Sequence, residues 1–140
     1  MGKKSVIFLI SVLFIFSNLG FNQIENIKAV ETTFYVDDDG FEDYVNIQYA
    51  IDNASIGDTV YVYNGYYKEK LLINKSIKLI GESKGNTTID GNNDIVISII
   101  SNKVEIMGFT IRNGTKGINI ENSSDNIIKN NIHIWIIITK

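Results

Sequence analysis

Along most of the chain, apolar and polar residues alternate at a period of two, in short runs broken by small polar residues. In "DTVYVYNGYY", Val60 and Val62 alternate with Thr59, Tyr61 and Tyr63, and the run ends at an Asn64–Gly65 corner. Such alternation predicts a strand with one face on a core and one face outward, which sets Tyr61 and Tyr63 on the outer side. The same reading predicts strands at Phe34–Val36, Thr59–Tyr63, Leu71–Ile73 and Ile77–Ile80. Further strands follow within "TTIDG", "DIVISII", "VEIMGFTIRNG", "GINIENSS" and "NIIKNNI", none longer than about seven residues. One stretch departs from this period. Tyr44, Ile47, Ala50, Ile51 and Ala54 fall on one helical stripe, with Asp43 placed as N-cap and Gly57 just past the end. A helix this short is unstable alone, so its stripe must cover an apolar surface.

The strand pattern repeats. A shift of 23 residues lays Ile95 on Ile118, Ile97 on Ile120, Val104 on Ile127, Phe109 on Ile132 and Ile111 on Ile134. An earlier turn fits at a shift of 27, where Ile77, Leu79 and Gly81 match Val104, Ile106 and Gly108. Short strands repeating every twenty-odd residues describe coils of a solenoid, each stacked on the last at about 4.8 Å.

Composition agrees with this. The 140 residues include 27 Ile and 17 Asn, with no Pro and no Cys. Ile suits pleated strands, and Asn suits corners because it tolerates left-handed backbone. Without Cys, disulfides cannot supply stability, which must come from packing and backbone ladders.

The N-terminus reads differently. Lys3 and Lys4 precede an apolar run, Val6–Phe16, and then a more polar segment. This is the arrangement of a secretory signal peptide, set here at residues 1–29, and the run is short for a membrane span. Removing it takes away three lysines and one glutamate, leaving 10 basic and 15 acidic residues and a net charge of −5. With no basic stripe, nucleic acid is not an expected partner, and no membrane contact is expected beyond the signal segment.

The helix followed by "GDTVYVYNGYYKEKLLINKSIKLIGE" resembles the entry segment of right-handed parallel β-helix proteins of the pectin-lyase-like group. Val36–Gly81 is also similar to repeat modules of NosD-type and archaeal cell-surface β-helix proteins. The resemblance implies an all-β, right-handed parallel β-helix with a short N-terminal capping α-helix, over residues 30–140. It implies Ile47, Ala50 and Ile51 facing the first coil. The family continues into further coils, whereas this chain stops after "HIWIIITK". The sequence therefore reads as about three coils of a longer solenoid, with Ile132–Ile138 as an open final strand through which it would associate.

Function is less legible, because this fold carries lyases, hydrolases, binding modules and inert surface proteins. A glycoside hydrolase needs two carboxylates about 5–10 Å apart. Asp90, Asp94, Glu105, Glu121 and Asp125 are the acids available, none in a motif of the galacturonases, and the only His is His133. "DGNND" and "DDDG" space oxygen ligands as calcium loops do, yet both are ordinary acidic corners. No catalytic residue, metal ligand or cofactor is assigned.

Two surface features remain. Tyr61 and Tyr63 are candidates for stacking on sugars. Sequons begin at Asn53, Asn74, Asn86, Asn113 and Asn122, all in the exported part, and are candidate N-glycosylation sites. The expectation is a non-catalytic, exported β-helix module, secreted or at the cell surface, structural, adhesive or in contact with polysaccharide or cell-surface components. The alternative is the N-terminal part of a polysaccharide lyase or glycoside hydrolase whose catalytic coils lie elsewhere.

Overall fold

A computed structural model describes residues 30–132 and 135–139. The segment expected as a signal peptide and His133 lie outside the described residues. Among the described residues, ten strands and one helix follow in the order β1 (Thr33–Val36), α1 (Ile47–Asn53), β2 (Thr59–Val62), β3 (Gly65–Tyr67), β4 (Leu71–Ile73) and β5 (Lys78–Gly81). Then come β6 (Thr87–Ile99), β7 (Glu105–Met107), β8 (Thr110–Glu121), β9 (Ile127–Lys129) and β10 (Ile136–Thr139).

Every strand pairing is parallel. One sheet, A, runs β1-β2-β5-β7-β9. The other, B, runs β10-β8-β6-β3, with β4 also paired to β6. Alternating between two parallel sheets in this way is a solenoid, and the fold is the right-handed parallel β-helix expected from the sequence. Sheet A has five rungs, so the expected count of about three coils is too low. The two extra rungs, β1 and β2, escape a search at constant period because they sit at offsets of 26 and 19 residues from their neighbours. The first of these intervals holds the helix.

Between the sheets, inward residues form columns. Phe34, Val60, Leu79, Ile106 and Ile128 stack down sheet A. Leu71, Ile97 and Ile118 stack down sheet B, as do Ile73, Ile99 and Ile120. Nearly all of these side chains are fully buried, while Phe34 and Ile128 are partly so. Each hydrophobic residue buried this way is worth about 1.5–3 kcal/mol before entropy is counted.

The expected offset of 27 is correct: Leu79 pairs with Ile106. Gly81 and Gly108 meet so closely that a Cβ on either would overlap the other's carbonyl oxygen, and Gly108 has φ +86°. The offset of 23 is not correct. Glu105 pairs with Ile127 and Thr110 with Ile132, both at 22, and Ile97 pairs with Ile118 at 21. Ile127 therefore lies beneath Glu105 and not beneath Val104, and Ile128 lies beneath Ile106. The expected match of Ile111 involves Ile134, outside the described residues.

Strands β6 and β8 are 13 and 12 residues long, beyond the expected limit. Sheet B bends at Asp90–Asp94, where the register shifts and Asn92 and Asn93 take left-handed backbone, and pairing then resumes. A corner that keeps its ladder joins two short runs into one strand.

Helix α1 buries Ile47, Ala50 and Ile51 as expected, packing on β1, β2 and β4. The expected N-cap is corrected: Asn46 holds that position without a side-chain bond, and Asp43 instead accepts a bond from the Tyr35 amide at 3.0 Å. The Glu69 carboxylate caps the helix from another coil, accepting from the amides of Ile47 (2.9 Å) and Gln48 (3.0 Å). Gln48 in turn offers its amide to edge strand β4, accepting from Leu72 N at 2.9 Å and donating to Leu72 O at 3.3 Å. A carboxamide has the donor and acceptor of a peptide, so Gln48 stands in for a missing strand.

Candidate functional site

The alternation that buries Val60 and Val62 turns Tyr61 and Tyr63 outward, as the sequence predicts. They are not alone. The β1–β2 register sets Tyr35 directly over Tyr61. The three rings form one cluster: Tyr61 and Tyr63 meet edge to face at 5.3 Å, Tyr35 and Tyr61 likewise at 6.0 Å, and Tyr35 stacks on Tyr63 at 6.1 Å. Tyr35 is 39% exposed, and the other two are partly so. Below Tyr61 the same outward column continues through Ile80, Met107 and Lys129. Crowding by its surroundings first, then the Glu42 carboxylate, the neighbouring Tyr35 and Tyr61, and last the Glu82 carboxylate hold the Tyr63 phenol above its ordinary range. Sequence reasoning missed Tyr35, although "TFYV" over "TVYV" carried the signal.

The neighbouring tyrosines divide. Tyr67 turns inward, where its hydroxyl donates to Tyr63 O at 3.1 Å and burial pushes its phenol well up. Tyr66 faces out on sheet B and donates to Asp90 Oδ2.

Asp90 is the buried acid of that sheet, 3% exposed. Its Oδ2 also accepts from Asn113 Nδ2 at 2.6 Å, and its Oδ1 from Asn92 N at 2.9 Å. The Arg112 guanidinium lies 3.8 Å away and sits over the Tyr66 ring, 5.1 Å from its centre. The Tyr66 hydrogen bond first, then those from Asn92 and Asn113 and the Arg112 charge, outweigh desolvation and hold this carboxyl below the usual range. All of these groups hold the sheet B bend in place. Of the other candidate acids, Asp94 pairs with Lys70 at 2.9 Å, Glu105 with Lys129 at 2.8 Å, and Glu121 accepts from Asn119 at 2.5 Å, while the exposed Asp125 accepts only from the neighbouring Ser124 Oγ at 3.4 Å. In "DGNND", Asp90 turns inward and Asp94 toward Lys70, so their oxygens do not converge. In "DDDG", Asp38 accepts from Tyr66 N at 3.0 Å and Asp39 from Phe41 N at 3.1 Å, so these carboxylates serve as turn and edge caps.

The five sequon asparagines are all exposed, on five different segments. Asn53 ends α1, Asn74 follows β4, Asn86 precedes β6, Asn113 lies within β8, and Asn122 follows β8.

No family model matches the chain. A cell surface glycoprotein of Methanothermus fervidus is 31% identical over 136 residues, covering 94% of this chain. The chain spans about a fifth of that relative, 21% of its length. Among solved structures, pectin methylesterase from carrot superposes with a TM-score of 0.63 at 14% identity, over 74% of this chain and 40% of that one. The last likeness is one of fold: both chains are right-handed β-helices. The carrot enzyme's activity is not carried across, since the likeness extends to the coil alone.

Proposed function

We propose that this chain is a non-catalytic β-helix module of the cell surface, and that it contacts carbohydrate through the outer face of sheet A. The surface location rests on the likeness to the Methanothermus fervidus glycoprotein along nearly the whole chain. The contact rests on one observation, the partly exposed cluster of Tyr35, Tyr61 and Tyr63. Aromatic faces held on a rigid sheet offer apolar area at little entropic cost, and each hydroxyl can bond a sugar. A catalytic reading would call for two free carboxylates flanking a bond, and Asp90, Asp94 and Glu105 are engaged by Tyr66, Lys70 and Lys129.

Charge narrows the ligand. Glu42 and Glu82 lie near Tyr63, and residues 30–140 carry a net charge of −5. A polyuronate would be repelled, whereas a neutral glycan would not. The test is calorimetric titration of the chain with neutral oligosaccharides and with oligogalacturonate. Tyr61→Ala and Tyr63→Ala should each weaken neutral-glycan binding by ~2- to 10-fold, the worth of one aromatic contact. Tyr49→Ala, on the exposed side of α1, should leave it unchanged. Equal binding by all variants, or a preference for the uronate, would sink the proposal.

A further inference from the structure

The five sequons are equal in sequence and unequal in structure. N-glycosylation joins Asn Nδ2 to the anomeric carbon of a lipid-linked glycosyl phosphate. The Nδ2–C1 bond forms, the C1–O bond to the lipid phosphate breaks, and Nδ2 gives up one proton. Nδ2 carries two hydrogens, and the sugar takes the place of one; a carboxamide already held by a donated bond is fixed in orientation and has to turn out of that bond to meet the donor in the transferase.

Two of the five are engaged. Asn113 Nδ2 donates to the buried Asp90 at 2.6 Å. A sugar there would enter the junction of Asp90, Tyr66 and Arg112. Asn53 Nδ2 donates to Tyr49 O at 2.8 Å and closes the last turn of α1. The carboxamides of Asn74, Asn86 and Asn122 make no hydrogen bond among the described residues, and each stands at a corner between sheets.

We propose that Asn74, Asn86 and Asn122 are the glycan acceptors of the folded chain, and that Asn53 and Asn113 are refused. The inference rests on the surface reading above only in assuming that the chain meets a glycosyl donor.

The three acceptors have a shared layout. Asn74 and Asn122 lie at the same corner, on the coils either side of the one that carries Asn102: Ser76 Oγ donates to Asn102 O at 2.5 Å, and Ser124 N donates to Asn102 Oδ1 at 2.7 Å. They are thus two coils apart, roughly 10 Å at the strand spacing. Asn86 lies at the corner on the far side of β5. Sugars at these corners would border sheet A on both sides.

The experiment compares folded and unfolded acceptors. The purified, full-length, unglycosylated chain is incubated with an oligosaccharyltransferase and a lipid-linked oligosaccharide. In parallel, the five sequons are offered as short peptides, and products are mapped by mass spectrometry. All five peptides should be modified, and in the folded chain only Asn74, Asn86 and Asn122. Asn74→Gln, Asn86→Gln and Asn122→Gln should each remove one glycan mass, while Asn53→Gln and Asn113→Gln remove none. Modification of Asn53 or Asn113 in the folded chain overturns the proposal. So does failure of the three while their peptides react, or failure of the Asn53 and Asn113 peptides themselves, since the selection would then not come from the fold. Carbohydrate binding is titrated on the same unglycosylated chain, so the two readings fail separately.

Discussion

Asp90 shows how much one residue can fix. It binds the amide of Asn92 within the sheet B bend, and through the hydroxyl of Tyr66 and the carboxamide of Asn113 it ties β3 and β8 to that bend. Its carboxyl titrates lower folded than unfolded. The stability it contributes is therefore fully present above about pH 4 and is lost as pH falls through the folded value. Asp90→Asn should flatten the acid limb of stability measured by urea unfolding between pH 5 and 2. An amide presents one acceptor and one donor where the carboxylate presented two acceptors, so either Asn92 N or the Tyr66–Asn113 pair loses its partner. At neutral pH the variant should be less stable by about 1–3 kcal/mol. An acid limb as steep as wild type would mean that other carboxylates carry it. Asp90 was legible in the sequence only as one acid among five. Its burial depends on a bend whose left-handed Asn92 and Asn93 look like any other Asn pair.

At the scale of elements, what the sequence made plain and what it hid have separate causes. Helix α1, the outward turn of Tyr61 and Tyr63, and the 27-residue step were readable because each rests on a distinctive pattern. The step is marked by glycines, Gly81 against Gly108, where no other residue fits. The 22-residue step was misread as 23 because Ile is so frequent that a slide of one or two residues still finds Ile. Asn side chains set that register. Asn126 Oδ1 accepts from Val104 N at 2.8 Å and Asn131 Oδ1 from Phe109 N at 3.0 Å, each spanning 22 residues. The Glu69 cap was hidden too, because it reaches α1 from 21 residues away along the chain. Glu69→Ala should destabilise the fold by about 1–2 kcal/mol, the worth of a charge-assisted N-cap, seen as a lower urea midpoint at unchanged m-value. Glu31→Ala breaks only an exposed pair with Lys78 and should cost less than about 0.5 kcal/mol. If the two variants unfold alike, Glu69 contributes no more than a surface charge.

For the whole molecule, the consequence of a solenoid is that each rung is held only by its neighbours, so stability varies along the axis. The two outermost strands of sheet A, β1 and β9, are held differently. Beside β1, α1 buries three side chains, Asp58 accepts from the amides of Thr32 (2.8 Å) and Ser55 (2.7 Å), and Asp43 accepts from Tyr35 N. Around β9 and β10 the apolar columns thin out: Ile128 is only partly buried where Ile106 above it is fully so, and Ile138, paired with Ile120, is 69% exposed. Amide hydrogen exchange on the 140-residue chain should read this asymmetry. The Thr59 and Tyr63 amides bond to Thr32 O and Val36 O and report the docking of β1. The Ile127 and Ile132 amides bond to Val104 O and Phe109 O and report the docking of the last rung. All four bonds are of similar length, 2.8–2.9 Å, so differences in protection reflect the opening of the rung and not the bond itself. Thr59 and Tyr63 should exchange at least about tenfold more slowly, the ratio that a 1.4 kcal/mol difference in opening free energy gives. Equal rates, or the reverse order, would mean that helix and carboxylates do not lock the first rung. The tyrosine face, anchored on β1 and β2, would then be no more rigid than the final coil, and its suitability for stacking on a sugar would lose its structural ground.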